Sequence, residues 1–179
     1  MISLNKDNIG LCIIAYNRPY HFKKVFENIL KFKNKNDKIF IFFDNVSSKD
    51  CKKTQINNLK LRSYLKKIKS SRIIVIEHKS KLGLKKNWFF TYNYMFKRYK
   101  KVICLEDDIL IKKGFIEFMS FYLNKFENNK RIMSITGFSS YVKIPNSYLY
   151  DCYLTRRSMS WSQATWRRVW IDFKKLNKN

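Results

Sequence analysis

Val102-Ile103-Cys104-Leu105-Glu106-Asp107-Asp108 is an apolar run that ends in three consecutive acids, and its reading decides the fold. Four apolar residues in a row suit a strand buried on both faces. The acids that follow stand out in a chain of 179 residues with 38 Lys and Arg, 13 Asp and Glu, and a formal net charge of +25. Adjacent carboxylates repel, and each raises its neighbour's pKa unless a cation neutralises them. Hard oxygen ligands at a strand end suit Mg²⁺ or Mn²⁺, which take one or two carboxylates and fill their other positions with phosphate and water. The alternative use is a helix N-cap or a solvated turn. The next helix is expected from Gly114-Phe115, too far on for these acids to cap it.

Upstream, the same alternation repeats. Ile9 to Ala15 reads as a buried strand, and Pro19 suits the first turn of a helix carrying Phe22, Val25, Phe26, Ile29 and Leu30 inward. Lys38 to Asp44 is expected as a second strand, followed by a Lys-rich helix that Ser47 or Ser48 can cap and that reaches about Ile68. Arg72 to Glu77 is the third strand. After a turn at Gly83, Trp88, Tyr92, Met95, Phe96 and Tyr99 form one helical stripe. Downstream of the acids come a helix with Phe115, Phe118, Met119, Tyr122 and Phe126, a strand at Ile132 to Ile135, a possible strand at Tyr148 to Leu154, and a helix within Trp161 to Lys175. That last helix is expected to turn Trp166, Val169, Trp170 and Phe173 inward.

Four consecutive strand–helix units predict an α/β fold with a mainly parallel sheet covered by helices on both faces. Ligands of such sheets bind beyond the carboxyl ends of the strands. Asn17, Asp44, the loop of His78 to Lys86 and the acid triplet all fall at such ends. The length predicts one domain, with residues 1–110 as a nucleotide-binding half and 111–179 as a second half. The chain's end at Asn179, soon after a predicted helix, reads as early and suggests a fragment.

Composition narrows the setting. No apolar run approaches the 18 residues of a membrane span, and Met1 to Asn8 carry no export signal. Cys12, Cys51, Cys104 and Cys152 are widely spaced, and Cys12 and Cys104 fall in strand patterns, which suits a reduced cytoplasm. Lys far exceeds Arg, and Lys, Asn, Ile, Phe and Tyr dominate, as an AT-rich genome would produce. The charge is therefore either compositional or a means of holding anionic lipid, nucleic acid or phosphorylated substrates. A single-strand nucleic-acid platform is the competing class, but no helix-turn-helix, zinc or RNP pattern supports it. A nucleotidyltransferase is a further one, yet Tyr16-Asn17-Arg18-Pro19 offers no glycine for a phosphate loop.

Ile13 to Pro19, Phe43-Asp44-Asn45, Leu105 to Asp108 and Trp161 to Trp170, in that order and at strand ends, resemble the GT-A glycosyltransferases. The likeness is strongest to bacterial sugar transferases related to inverting family 2. The architecture is also similar to the animal N-acetylglucosaminyltransferase that begins complex N-glycans, with its E-D-D metal motif.

The resemblance implies a Rossmann-like GT-A domain and transfer of a sugar from a nucleotide donor, with uracil as the expected base. It implies Asp108 as the ligand of Mn²⁺ or Mg²⁺, Asp107 facing the ribose, and Glu106 orienting the loop. Asp44 would accept a hydrogen bond from the base, unless it is a turn residue. Ala15, Asn17 and Arg18 would line the mouth of the nucleotide pocket. Lys85 or Lys86 would approach the base or phosphates, or remain solvated. Trp161 is the candidate sugar contact.

A metal acting as Lewis acid on the leaving diphosphate and a base on the acceptor hydroxyl complete the chemistry. For the base the sequence offers Asp172, less well Asp151, or a carboxylate beyond Asn179. The tryptophan segment departs from the usual W-G-W-A-T-W: Ser162 stands for the glycine and Gln163 for the middle tryptophan. Glycan or lipid-linked acceptors and a place in the cytoplasm, peripheral on the inner membrane face, are the expected partners and location. A degenerate or truncated domain that binds nucleotide without turnover is the alternative.

Overall fold

A computed structural model describes residues 3–4 and 7–177. Met1, Ile2, Asn5, Lys6, Lys178 and Asn179 lie outside the described residues, so the readings of the two chain ends rest on sequence alone. The order of elements is β1 (Ile9–Ala15), α1 (Pro19–Phe32), β2 (Ile39–Phe43), α2 (Lys52–Lys66), β3 (Ile73–Glu77), α3 (Leu84–Phe96), β4 (Lys101–Glu106), α4 (Phe115–Lys125), β5 (Ile135–Thr136), β6 (Gln163–Trp166) and α5 (Arg167–Leu176). Strand order is β3-β2-β1-β4-β6-β5. The first four strands are parallel, while β6 runs antiparallel to both β4 and β5. The mainly parallel α/β sheet expected from the sequence is present.

Alternation along the central strands divides the core. Leu11, Ile13, Ala15, Ile39, Ile41, Phe43, Ile103 and Leu105 point to one face, where α1, α2 and α4 pack. Cys12, Ile14, Phe40, Phe42, Val102 and Cys104 point to the other, against α3 and α5. Such strands lack a polar face because helices cover them on both sides. The helices of the two leftward crossovers share one face and α3, which carries the chain back past β1, takes the other, as right-handed connections require. Gly10 permits the approach of α3: a Cβ there would lie 2.6 Å from both Met95 and Tyr99. Each fully buried Leu, Ile or Phe contributes about 1.5–3 kcal/mol of apolar transfer.

Several local expectations are corrected. Neither Ser47 nor Ser48 caps α2, whose N-cap is Cys51. Ser47 instead donates its N–H (2.7 Å) and Oγ (3.1 Å) to the Asp50 carboxylate, which builds a turn ahead of the helix. Leu30 faces solvent rather than the core. The strand at Ile132–Ile135 shrinks to Ile135–Thr136, and Tyr148–Leu154 forms no strand. The segment Trp161–Lys175 is not one helix, because Gln163–Trp166 is β6 and only Arg167 onward is helical. Trp166 and Trp170 have helical spacing but lie on opposite faces of the sheet, Trp166 beside α4 and Trp170 beside α3. The Trp166 indole donates to the carbonyl of Leu123 at 2.9 Å, which satisfies its N–H deep in the core.

From Gly137 to Ser162 the chain forms neither helix nor strand, and its base is closed by the Gly137 N–H donating to the Ser162 carbonyl (3.3 Å). Among the described residues no helix is long and apolar enough to cross a membrane.

Candidate active site

The strand order reverses between β1 and β4, and the acid triplet stands at the carboxyl end of that pair. Ile14 is in register with Glu106, so Tyr16 to Arg18 and Asp107-Asp108 leave the sheet side by side. This is the topological switch point at which open α/β sheets place ligands. The Tyr16 N–H extends the strand pairing with a long 3.4 Å contact to Asp107 Oδ2. Arg18 Nη1 lies 3.4 Å from Asp107 Oδ1 and also pairs with Asp108 Oδ2. One guanidinium therefore serves both carboxylates.

The two aspartates are unequal. Asp107 is buried, and burial pushes its carboxyl up to about 6. Asp108 and Glu106 add to the rise, whereas Arg18 and the Tyr16 N–H oppose it. Glu106 is also raised, by burial and then by Asp108, with Arg18 opposing. Asp108 is partly open to solvent. A desolvated carboxylate next to an exposed one, with a cation between them, is an arrangement that favours positive charge.

Fit to a divalent cation follows from the donor set. Among the described residues no group of three or more His, Cys, Asp or Glu side chains converges as a cage. Two hard carboxylates within reach of one positive group suit an ion that takes the rest of its ligands from phosphate and water. Asp108 and Asp107 would hold it.

The neighbouring loops are fastened by residues of both kinds, expected and unexpected. Asp44 is buried at the end of β2. Its Oδ1 accepts from the N–H of Asn45 (2.9 Å) and Leu82 (2.8 Å), and its Oδ2 from Gly83 (2.9 Å). In this structure Asp44 anchors the loop leading into α3. Gly83 suits that anchor because its φ of +77° is open to glycine and strained for other residues. Asn58, buried in the middle of α2, donates to the carbonyls of Tyr16 (2.7 Å) and Asp44 (2.9 Å) and so ties the ends of β1 and β2. His78 Nε2 meets Asn87 Oδ1 at 2.8 Å, which locks the start of the loop to α3. Lys81 pairs with Asp50, which holds the lysine above and the carboxyl below their ordinary pKa ranges.

Asn58 and Asn87 carry a faint sequence signal, since an amide is a poor helix former that a helix keeps where its side chain finds a partner, whereas His78 lies in the loop after β3 and carries only its strand-end position. Tyr16, just past β1, and Lys81, in the loop after β3, carry none beyond position.

Other expected residues fall as follows. Asn17 Nδ2 donates to Thr54 Oγ1 at 3.3 Å, at the same edge. The Ala15 side chain is buried in the core, and its carbonyl, at the end of β1, accepts the Asp44 N–H (2.9 Å). Lys85 and Lys86 are exposed in the first turn of α3, on the edge that β3 delivers. Trp161 is half exposed, edge-on to Phe138 at 4.7 Å, with its carbonyl bonded by Thr136 Oγ1 (2.9 Å). Ser162 adopts φ +50°, the left-handed region, where the resembling motif carries glycine. Asp172 is not brought to the triplet. It is exposed on α5, which starts at the opposite edge of the sheet, where the Arg167 N–H bonds the Lys100 carbonyl (2.8 Å), and its neighbour is Lys175 at 4.0 Å.

Solved structures share the fold at low identity. A fragment of TarS from S. aureus, residues 1–349 in complex with UDP-GlcNAc, is 12% identical, with TM-score 0.54 over 93% of this chain and 47% of that one. A 4-diphosphocytidyl-2C-methyl-D-erythritol synthase from Anaerococcus prevotii is 13% identical, with TM-score 0.52 over 97% and 77%. A mannosyltransferase from Pyrobaculum calidifontis, in complex with GDP-Man and Mn²⁺, is 10% identical, with TM-score 0.49 over 72% and 34%. The chain spans about a third of that mannosyltransferase and about half of the TarS fragment. No curated protein sequence matches it. A TarS fragment in complex with UDP-GlcNAc and a 4-diphosphocytidyl-2C-methyl-D-erythritol synthase share this fold, so the fold alone does not assign a reaction. The profile of the GNT-I family matches residues 2–152, which include the triplet, Arg18 and Asp44, and by that match the chain belongs to the GNT-I family.

Proposed function

We propose that this protein transfers a sugar from a nucleoside-diphosphate donor, UDP-linked, to a hydroxyl of a glycan or lipid-linked acceptor. The observation that carries this reading is the pair of carboxylates, Asp107 and Asp108, gathered on one cation at the β1/β4 switch point. A divalent ion bound there would act as a Lewis acid on the leaving diphosphate.

The chain's own groups do the rest. Asp107 and Asp108 supply negative charge at the strand ends. Arg18, half exposed, can exchange its carboxylate partners for a donor phosphate while staying at the same edge. The loop of His78 to Gly83, fixed by Asp44, and the first turn of α3 with Lys85 and Lys86 border the region where a base would lie. Trp161 offers an aromatic face beside β6. In the reaction the acceptor oxygen bonds the anomeric carbon, the carbon–phosphate oxygen bond breaks, and the diphosphate leaves with the electron pair. The acceptor proton goes to a base. Asp172 is poorly placed for that role, because α5 rises from the other edge of the sheet.

Thermal melts test the reading. Mn²⁺ with UDP should raise the melting temperature, and ATP, CTP and single-stranded DNA should not. A ligand bound only to the native state stabilises it by about 2.7 kcal/mol at a hundredfold excess over Kd. Asp108→Asn should remove the metal-dependent part of the shift and keep the fold. An unchanged shift in that variant eliminates the metal assignment, and a shift with CTP alone moves the protein to the nucleotidyltransferases. Single-turnover transfer from labelled UDP-sugars to a membrane extract separates turnover from nucleotide binding alone.

A further inference from the structure

We propose that the segment from Gly137 to Ser162 is a docking surface for anionic lipid, inserting aromatic and aliphatic side chains into the headgroup layer. The segment is a strap without regular structure. It leaves the sheet from β5 at the end of the sheet that also carries the acid triplet, runs along α4, and returns to β6. Its contacts with α4 include Cys152 Sγ to the Tyr122 hydroxyl (3.1 Å), braced by the Tyr148 hydroxyl on the Cys152 carbonyl (2.7 Å). These contacts hold the strap in place, yet its apolar side chains point away from the core. Tyr141 is 97% exposed, Leu149 89%, Leu154 77% and Tyr150 75%. Scattered exposed apolar residues are ordinary, but four of this size on one strap are not.

The charge around them selects the occupant. Between residues 137 and 162 stand Lys143, Arg156 and Arg157 against a single acid, Asp151. Lys125 adds a cation on the adjoining face of α4, within 6 Å of the rings of Phe121, Tyr122 and Phe126. Tyrosine and leucine interleaved with cations match a bilayer interface, where rings sit at headgroup depth and Lys or Arg meets lipid phosphate. The chain's net charge of +25 disfavours a basic partner and a second copy of itself. The inference does not rest on the donor assignment. Because the strap begins and ends at the same end of the sheet as the triplet, lipid docking would bring that end of the molecule to the membrane surface, where a lipid-linked acceptor lies.

Flotation of the full chain with phosphatidylglycerol–phosphatidylcholine vesicles, and with phosphatidylcholine alone, tests it. Charge alone predicts complete release at about 1 M salt, where the Debye length falls to about 3 Å. The strap predicts that a bound fraction persists there. Leu149→Ser/Tyr150→Ser/Leu154→Ser should lower partition at low salt by at least about tenfold and abolish the salt-resistant fraction. Lys143→Gln/Arg156→Gln/Arg157→Gln should weaken binding mainly at low salt. Circular dichroism and the UDP–Mn²⁺ melting shift should match the parent in both. Should the apolar triple variant fail to fold, Leu149→Ser alone, at the most exposed leucine, gives the same reading at smaller amplitude. Wild-type-like binding by the apolar variants overturns the proposal. So does full release of the parent in salt, or an absence of vesicle binding with sedimentation of the parent as a dimer.

Discussion

The sheet from β1 to β4 and the strap between β5 and β6 are built on opposite terms. In the first, Ile9, Leu11, Ile13, Ile39, Ile41, Phe43, Ile103 and Leu105 are almost completely buried, and helices close both faces. In the second, Tyr141 and Leu149 are the two most exposed large apolar side chains among the described residues. The contrast teaches where each kind of function can sit. A rigid edge positions Asp107 and Asp108 to within a hydrogen bond, whereas a strap held by a few side-chain bonds is free to meet a surface.

The largest expected effect tests that contrast directly. Ile13→Ala should cost about 2–5 kcal/mol, the range for a truncated aliphatic at a fully buried site. Leu149→Ala should stay within about 0.5 kcal/mol, as for exposed positions generally. Urea unfolding of the two variants measures both. Comparable losses would mean that the strap is part of the cooperative core, and the comparison would fail.

That same division explains what was legible in the sequence. Strands β1 to β4 could be read because each is a short continuous apolar run followed by a helix-period stripe. Their order placed the acids at a shared edge before any coordinates. The antiparallel end of the sheet could not be read, since Trp166 and Trp170 sit four residues apart and mimic one helical face. Trp166 is in fact extended, at φ −111° and ψ 153°, and the strand ends there. Only the pairing of Gln163 to Trp166 with β4, fixed by residues some sixty positions earlier, reveals it. Likewise Asp44 was visible as a polar residue at a strand end, but its three backbone donors come from the next residue, Asn45, and from a loop nearly forty residues on. Asp172 looked eligible as a base merely because acids are scarce downstream. The start of α5 at the far edge of the sheet, with Asp172 exposed beside Lys175, does not support that role.

The second effect sharpens the difference between the two aspartates. Asp107 has its folded pKa raised, from 3.8 to about 6, chiefly by burial. A raised carboxyl contributes stability that is fully present below about pH 4 and is lost as pH rises through about 6. Asp107→Asn should therefore flatten this decline, gaining on the order of 2–3 kcal/mol at pH 7 relative to the parent without ligand. It should at the same time weaken Mn²⁺-dependent UDP binding. In the parent that binding should fall as pH drops through about 6, where Asp107 takes up a proton. Melting curves across pH, with and without Mn²⁺ and UDP, check both signs. Destabilisation of the unliganded variant at pH 7 would show that Asp107 is held mainly by its partner Arg18 and not opposed by burial.

A third, comparable in size or smaller, concerns the loop that borders the site. Asp44→Asn keeps the shape but turns one acceptor into an NH2 group facing the backbone N–H of Leu82 or Gly83. A buried donor left unpaired costs about 1–3 kcal/mol. Faster amide exchange should follow at Leu82 and Gly83, with β2 itself still protected. Uniform loss of protection through β2 would mean that Asp44 supports the strand more than the loop.

The smallest effect tests the tryptophan segment, where the rigid sheet gives way to the strap. Ser162 holds φ +50°, a conformation that costs a non-glycine residue roughly 1–2 kcal/mol. Glycine would relieve that strain, but it would gain freedom in the unfolded chain worth roughly 0.5–1 kcal/mol. It would also lose the Ser162 Oγ bond to the Trp161 carbonyl at 2.7 Å, which competes locally with water. The terms nearly cancel, so Ser162→Gly should raise stability by less than about 1 kcal/mol. Ser162→Ala keeps the strained φ and loses the hydroxyl, so it should destabilise. The order Gly, Ser, Ala in stability, read from urea midpoints, is therefore the expected result. If alanine proves as stable as serine, the hydroxyl contributes nothing. If glycine proves less stable than serine, the hydroxyl and the unfolded-state term outweigh the strain, and serine is there to fix the peptide that carries Trp161 to the edge of the site.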